Sequence, residues 1–225
     1  MKRHRAPLAA LLCLVAAVTV RAADAGSEWE AAFPTRSAPQ QVYFRAGYRD
    51  DFGRTHQLEA WREGDVRLRR RTDAAIDLYV DKSPSGEYVY RLVDRYRAIV
   101  IHAERTTLYR IGIFSDWTGL AHVLNIPRGD YRIAEAPRQS PASLRGECVW
   151  KRLERTMSSA SASEVCWSSR WGLPLEIGTA DGSDGWQSQF LVQEVRTFVP
   201  EPEIFSLAPE GLLEIDADPD ADVSD

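Results

Sequence analysis

Few side chains in this 225-residue sequence can move a proton, hold a metal or attack a carbon near neutral pH. Setting aside His4 and Cys13, they are His56, His102, His122, Cys148 and Cys166. A zinc protease helix needs His-Glu-x-x-His, which is absent; His102-Ala103-Glu104 lacks the downstream Pro-Cys-x-x-Cys of a zinc deaminase; and the two cysteines are too far apart for a Cys-x-x-Cys ligand pair. There is no Gly-x-Ser-x-Gly elbow to expose a nucleophile and no glycine loop to cradle phosphate. Nothing in the spacing brings Glu176 together with Asp181 or Asp184 as a glycosidase pair would require. The expectation is therefore no catalytic residue, no metal, no cofactor and no enzyme.

Two other groups of residues could make a binding surface. Arginines cluster at Arg67 to Arg71 and at Arg91, Arg95 and Arg97, a pattern that fits the solvated face of a sheet or an anion site. Aromatic residues are spread over the same region and beyond it: Tyr43, Phe44, Tyr48, Trp61, Tyr79, Tyr88 and Tyr90 early, Trp150, Trp167, Trp171, Trp186 and Phe190 late. They fit equally a filled core and an apolar groove left uncovered on a curved sheet.

The elements that must position these residues are mostly strands. From Thr55 to Ile113 side-chain character alternates with a period of two, the mark of strands with one buried and one wet face. Val66, Leu68 and Arg70 interleave with Arg67, Arg69 and Arg71, and Ile76, Leu78 and Val80 with Asp77, Tyr79 and Asp81. Glu63-Gly64-Asp65, Thr72-Asp73 and Ser83-Pro84-Ser85-Gly86 are the hairpin loops between them. Strands are expected at 42 to 48, 56 to 62, 66 to 71, 75 to 81, 87 to 93, 97 to 103 and 107 to 113. Later strands follow near 131 to 134, 148 to 154, 163 to 168, 175 to 177 and 186 to 198. Between the two groups Phe114, Trp117, Leu120, Ala121 and Leu124 recur at helical steps, with Ser115 as N-cap and Pro127 closing the segment. A twisted sheet of about ten strands has to curl. The fold class expected is mainly β: a strongly curved antiparallel meander, an unclosed β-barrel, with one or two short helices over its concave face. The helix stripe Phe114, Trp117, Leu120 and Leu124, with Tyr88 and Tyr90, is the candidate ligand groove.

Met1 to Arg5 is basic, Ala6 to Val20 apolar, and small residues follow, so residues 1–25 read as a signal peptide. That leads to a soluble exported protein of about 200 residues, in which Cys148 and Cys166 form a disulfide across a hairpin. Basic residues are nearly all Arg, which suggests a GC-rich bacterial source and the periplasm. Residues 26–41 form an N-terminal segment with about one helical turn near Trp29 to Phe33, and 42–200 the curved domain. Residues 201–225 carry nine acids and no bases, which predicts a disordered solvating tail. Export and a net charge of −5 argue against a nucleic-acid partner.

The layout of 42 to 200, with the turn Trp171-Gly172-Leu173-Pro174-Leu175-Glu176-Ile177 leading into a strand and a final Phe-x-Val-x-Glu-Val strand at Phe190 to Val195, resembles the bacterial lipoprotein-carrier superfamily, which includes LolA, LolB and the sensor domain of RseB. The resemblance implies an unclosed barrel whose lidded concavity holds acyl chains or lipoprotein tails. It implies a periplasmic carrier of an acyl-bearing hydrophobic ligand, either a lipid or a lipoprotein. The alternative is an RseB-like sensor that contacts an inner-membrane or envelope protein. An enzyme on the same fold is a third reading, and the family supplies no catalytic residue.

Overall fold

Two antiparallel meanders meet edge to edge. In the computed structural model, which describes residues 25–110, 116–127, 129–138, 146–155, 162–180, 185–207 and 211–217, the first meander contains β1 (Gln41–Arg49), β2 (Thr55–Glu63), β3 (Arg67–Thr72), β4 (Ile76–Lys82), β5 (Tyr88–Asp94) and β6 (Ile99–Ala103). Each pairs with the next. Three residues separate the paired Thr72 and Ile76 in the β3–β4 loop; Asp73 and Ala74 stand at φ of +52° and +55°, left-handed positions that let Ala75 N–H donate to Thr72 O at 2.9 Å. The second meander contains β7 (Tyr131–Glu135), β8 (Val149–Arg155), β9 (Ser163–Ser168), β10 (Leu173–Ala180) and β11 (Trp186–Arg196). Here β11 returns to pair with β1, and a short β12 (Leu213–Asp216) joins β6 in parallel. The result is one 12-stranded, mostly antiparallel sheet in the order β12-β6-β5-β4-β3-β2-β1-β11-β10-β9-β8-β7. It is not closed into a barrel.

That order explains the helices. β6 lies near one end of the sheet and β7 at the other, so residues 104 to 130 must cross a whole face to connect them. The crossing carries α2 (Arg105–Arg110) and α3 (Trp117–His122), laid over the apolar phase of the strands. Leu108 and Leu120 are fully buried there among Leu68, Leu78, Val80 and Tyr90. The same face is covered at the β7–β9 end by α1 (Ala25–Ala32), where Trp29 and Phe33 pack on Val165 and Trp167. Between these helices Val42, Phe44, Leu58, Leu173, Leu175 and Phe190 form the central core.

The strand expected at 107 to 113 is a helix over its described part. Thr106 and Thr107 favour a strand by propensity, but β12 occupies the edge beside β6 and the chain has to leave the sheet to cross it. The N-terminal helix is also longer than one turn, at eight residues, because Trp29 and Phe33 anchor it. Residues 1 to 24, with the expected signal peptide, lie outside the described residues, as do Phe114 and Ser115; Asp116 is the N-cap of α3. No helix among the described residues is long and apolar enough to cross a membrane.

Residues 201 to 217 differ most from expectation. α4 (Pro202–Phe205) packs on the opposite, convex face, with Phe205 buried and the Arg67 guanidinium 4.5 Å above its ring. Leu207 and Leu212 pack against Tyr79, Val93 and Val100, and Leu213 N–H donates to Ala98 O at 2.8 Å as β12 begins. Counting acids missed that Phe205 is buried beside Arg67 of β3 and Phe198, and that Leu207 and Leu212 cover a separate apolar patch of the sheet. Residues 218 to 225 lie outside the described part.

Cys148 and Cys166 are bonded, with their Cα atoms 5.3 Å apart. The hairpin register sets Trp150 opposite Cys166, so Cys148 reaches its partner diagonally rather than from directly across.

Candidate functional site

Residues of β5 and β10 line one cavity, although six strand steps separate them in the sheet. A flat sheet would hold them about 29 Å apart at roughly 4.8 Å per step. Sharing a cavity means that the sheet is strongly curled. The cavity is about 500 Å³, within the range of about 300–1,000 Å³ usual for small-molecule sites. Leu58, Leu78, Leu92, Ile177 and Phe190 form its walls, Leu120 and Val123 close it from the helix side, and Tyr48, Arg70 and Thr72 add polar atoms. Arg49 and Asp51, both exposed, stand at its rim.

α3 divides the concavity. On its other side a smaller space of about 290 Å³ is lined by Tyr88, Tyr90, Trp117 and Ile126. There Tyr88 and Trp117 stack with centroids 4.8 Å apart and planes 9° from parallel, and Arg105 pairs with Asp116 at 2.6 Å. A third space, about 570 Å³, separates the outer side of α3 from the segment following α1 and is bordered by Phe33, Pro34, Arg36 and His122. Its walls are helix and loop surface rather than strand interior.

Of the expected groove residues, Tyr88, Tyr90, Trp117 and Leu120 pack in one apolar cluster that borders two spaces. Trp117, Tyr88 and Tyr90 border the smaller space, Leu120 borders the larger cavity, and Leu124 packs with the Trp29 and Trp167 cluster. Phe114 lies outside the described residues. Of the histidines, His56 bridges two carboxylates, with Nδ1 2.6 Å from Asp73 and Nε2 3.3 Å from Asp50. Its ring stacks on Tyr48 at 5.1 Å, which places it just behind the cavity wall. His102 sits on β6 beside Glu214 at 3.5 Å. Glu176 is buried and accepts the Trp186 indole N–H at 2.9 Å, whereas Asp181 and Asp184 lie outside the described residues.

What holds α3 in place is Arg62, a residue the sequence reading passed over. It continues the inward phase of Leu58 and Ala60 on β2 and is only 3% exposed. Its guanidinium donates to Ala121 O and to Trp171 O, each at 3.0 Å, satisfying a carbonyl at the helix end and one at the turn before β10. His122 Nδ1 lies 2.9 Å from the same guanidinium and 2.5 Å from Gly172 O. Burial first, and then the Arg62 charge, push His122 down to about 4, so the ring is neutral near pH 7. Val123 caps α3 at φ +58°, a left-handed conformation that is costly for a β-branched residue.

The arginine run on β3 divides by face. Arg69 and Arg71 donate to the fully buried Asp77 at 3.0 and 3.2 Å on the convex side, and Arg69 also lies 4.9 Å from the Tyr79 ring centroid. Desolvation acts to raise the Asp77 carboxyl, but the surrounding arginines outweigh it and hold the pKa below its usual value. Arg70 alone of this run faces the cavity. The signal that could have found Arg62 and Arg70 is a charge on the apolar phase of a strand.

No protein-family model and no curated protein matches the sequence. Among solved structures the chain is similar to MucB, at 14% identity and a TM-score of 0.41 over 80% of this chain and 62% of that one. It is also similar to MucB in complex with MucA(peri), at 16% identity and a TM-score of 0.40 over 83% and 60% of the two chains. The chain therefore spans about three-fifths of the length of these solved chains.

Proposed function

We propose that this chain is an exported binding protein, not an enzyme, that carries an acyl-bearing hydrophobic ligand, a lipid or the acylated end of a lipoprotein, in its concave cavity. The observation that carries this reading is the 500 Å³ space walled by aliphatic side chains of both meanders and capped by Leu120 and Val123 of the crossing segment. Burying one methylene there is worth about 0.8 kcal/mol, so a chain of moderate length supplies micromolar binding without any polar contact. Mass spectrometry of lipids extracted from protein purified out of its own envelope should identify the ligand. Leu120→Ala should cost near the lower end of about 2–5 kcal/mol in denaturant unfolding, because the site already borders a cavity, and should weaken binding of a fluorescent fatty acid. Wild-type protein that binds no acyl probe, together with a full packing penalty in the variant, would remove the reading.

A second reading, a sensor whose output is a protein contact, is favoured by the place of β7 at the end of the sheet. Among the described residues β7 pairs in the sheet only with β8, and an extended partner segment could add as a strand along Ile133 and Glu135. Co-purification of an envelope protein lost on introducing Ile133→Pro would support it.

A further inference from the structure

Arg70 places a charge where a hydrocarbon ligand has no use for one. It projects inward from β3 between Leu68 and Thr72, with Ala60 and Leu78 as its cross-strand neighbours. Among the described residues no carboxylate or carbonyl lies within hydrogen-bond or ion-pair distance of its guanidinium, in contrast to Arg67, Arg69 and Arg71, which are all paired on the other face. Burial pushes Arg70 down to about 10, with the Tyr48 phenol acting weakly the other way, so it remains a cation near pH 7. Arg49 and Asp51, both exposed, carry opposite charges at the rim. A half-buried cation without a counter-ion destabilises the empty protein, and a guanidinium presents two parallel N–H groups that match a carboxylate.

We propose that the cavity takes a single long-chain carboxylate, with its alkyl chain along Leu58, Leu78 and Leu120 and its carboxylate on Arg70. This rests on the acyl-binding reading above and specifies its ligand class. One guanidinium suits one monoanion; a phosphate monoester, closer to a dianion, would leave charge uncompensated.

The test uses delipidated full-length protein titrated calorimetrically with dodecanoate, dodecanol and dodecyl phosphate. Wild type should bind dodecanoate about 10- to 100-fold more tightly than dodecanol, the range of a hydrogen bond to a charged group. Arg70→Met should bind the acid and the alcohol alike. Its ligand-free melting temperature should equal or exceed that of wild type, which shows that the variant is folded. Arg70→Lys should keep part of the preference for the acid. Equal binding of acid and alcohol by wild type, or an undiminished acid preference in Arg70→Met, overturns the assignment of Arg70 while leaving the acyl cavity standing. Tighter binding of dodecyl phosphate than of dodecanoate overturns the choice of carboxylate. Binding of neither acid nor alcohol overturns the acyl reading itself.

Discussion

His56 and His122 sit within the same fold but in opposite electrostatic surroundings, and their protonation works on stability with opposite sign. His56, hydrogen-bonded by Asp73 and Asp50, is raised above its ordinary 6.5. Its contribution to stability is complete below about pH 6.5 and is lost as pH rises through the higher folded value. His122 is lowered to about 4 from 6.5. The unfolded chain takes up its proton first, so stability falls as pH drops from 6.5 towards 4, by on the order of 2–3 kcal/mol. Melting curves between pH 4 and 8 should show this acid-side loss in wild type and a shallower one in His122→Gln. In His56→Gln the decline above pH 6.5 should be reduced. NMR titration of the two rings that placed both near 6.5 would contradict the geometry behind each.

At the level of the element, α3 is six residues long, too short to persist without tertiary support. Its apolar residues Leu120 and Ala121 are buried, and Arg62 ties its end to the turn before β10. Arg62→Met keeps most of the volume but orphans buried carbonyls at Ala121 and Trp171. Each unsatisfied group costs about 1–3 kcal/mol, so the variant should lose several kcal/mol in denaturant unfolding. Amide exchange should accelerate at Leu120 and Ala121 more than in the central strands. Uniform acceleration across β1 and β2 would mean that Arg62 supports the whole sheet and not the helix. Val123, strained at the end of α3 and lining the cavity, lies two residues beyond the Ala121 carbonyl that Arg62 holds.

For the whole molecule, the convex face is finished by the acidic C-terminal segment. Removing residues 201 to 225 uncovers Tyr79, Val93 and Val100 and strips Arg69 of its bond to Ile204 O at 3.0 Å. Phe205 with the two leucines should account for about 3–5 kcal/mol, or roughly 10 °C in melting temperature for a chain of this size. Calorimetry of the truncated protein checks this. An unchanged melting temperature would return the segment to the status of a solvating tail.

Period-two alternation sufficed to locate the strands of both meanders to within a few residues, because each strand buries one face wherever it lies in the sheet. The cysteine pair was legible for a similar reason, since a hairpin brings its two arms together locally. The sequence could not reveal that β11 returns to β1, since pairing across some 150 residues leaves no mark in either strand. Nor could it show that the 104 to 130 segment must therefore cross the concave face. That crossing sets Tyr88 and Trp117 on the smaller space and Leu120 on the cavity, within one apolar cluster. It also gives Arg62 its carbonyl partners. Alternation alone set Arg70 on the phase of Leu68, but only the curl of the sheet makes that phase the wall of a cavity. The sequence by itself determined the strands of the two meanders and the face that their alternating side chains take, though not the helix at 105 to 110 or the edge strand β12. The tertiary structure decided which faces enclose space and which charges inside it go without a partner, because both depend on contacts between segments far apart in the chain.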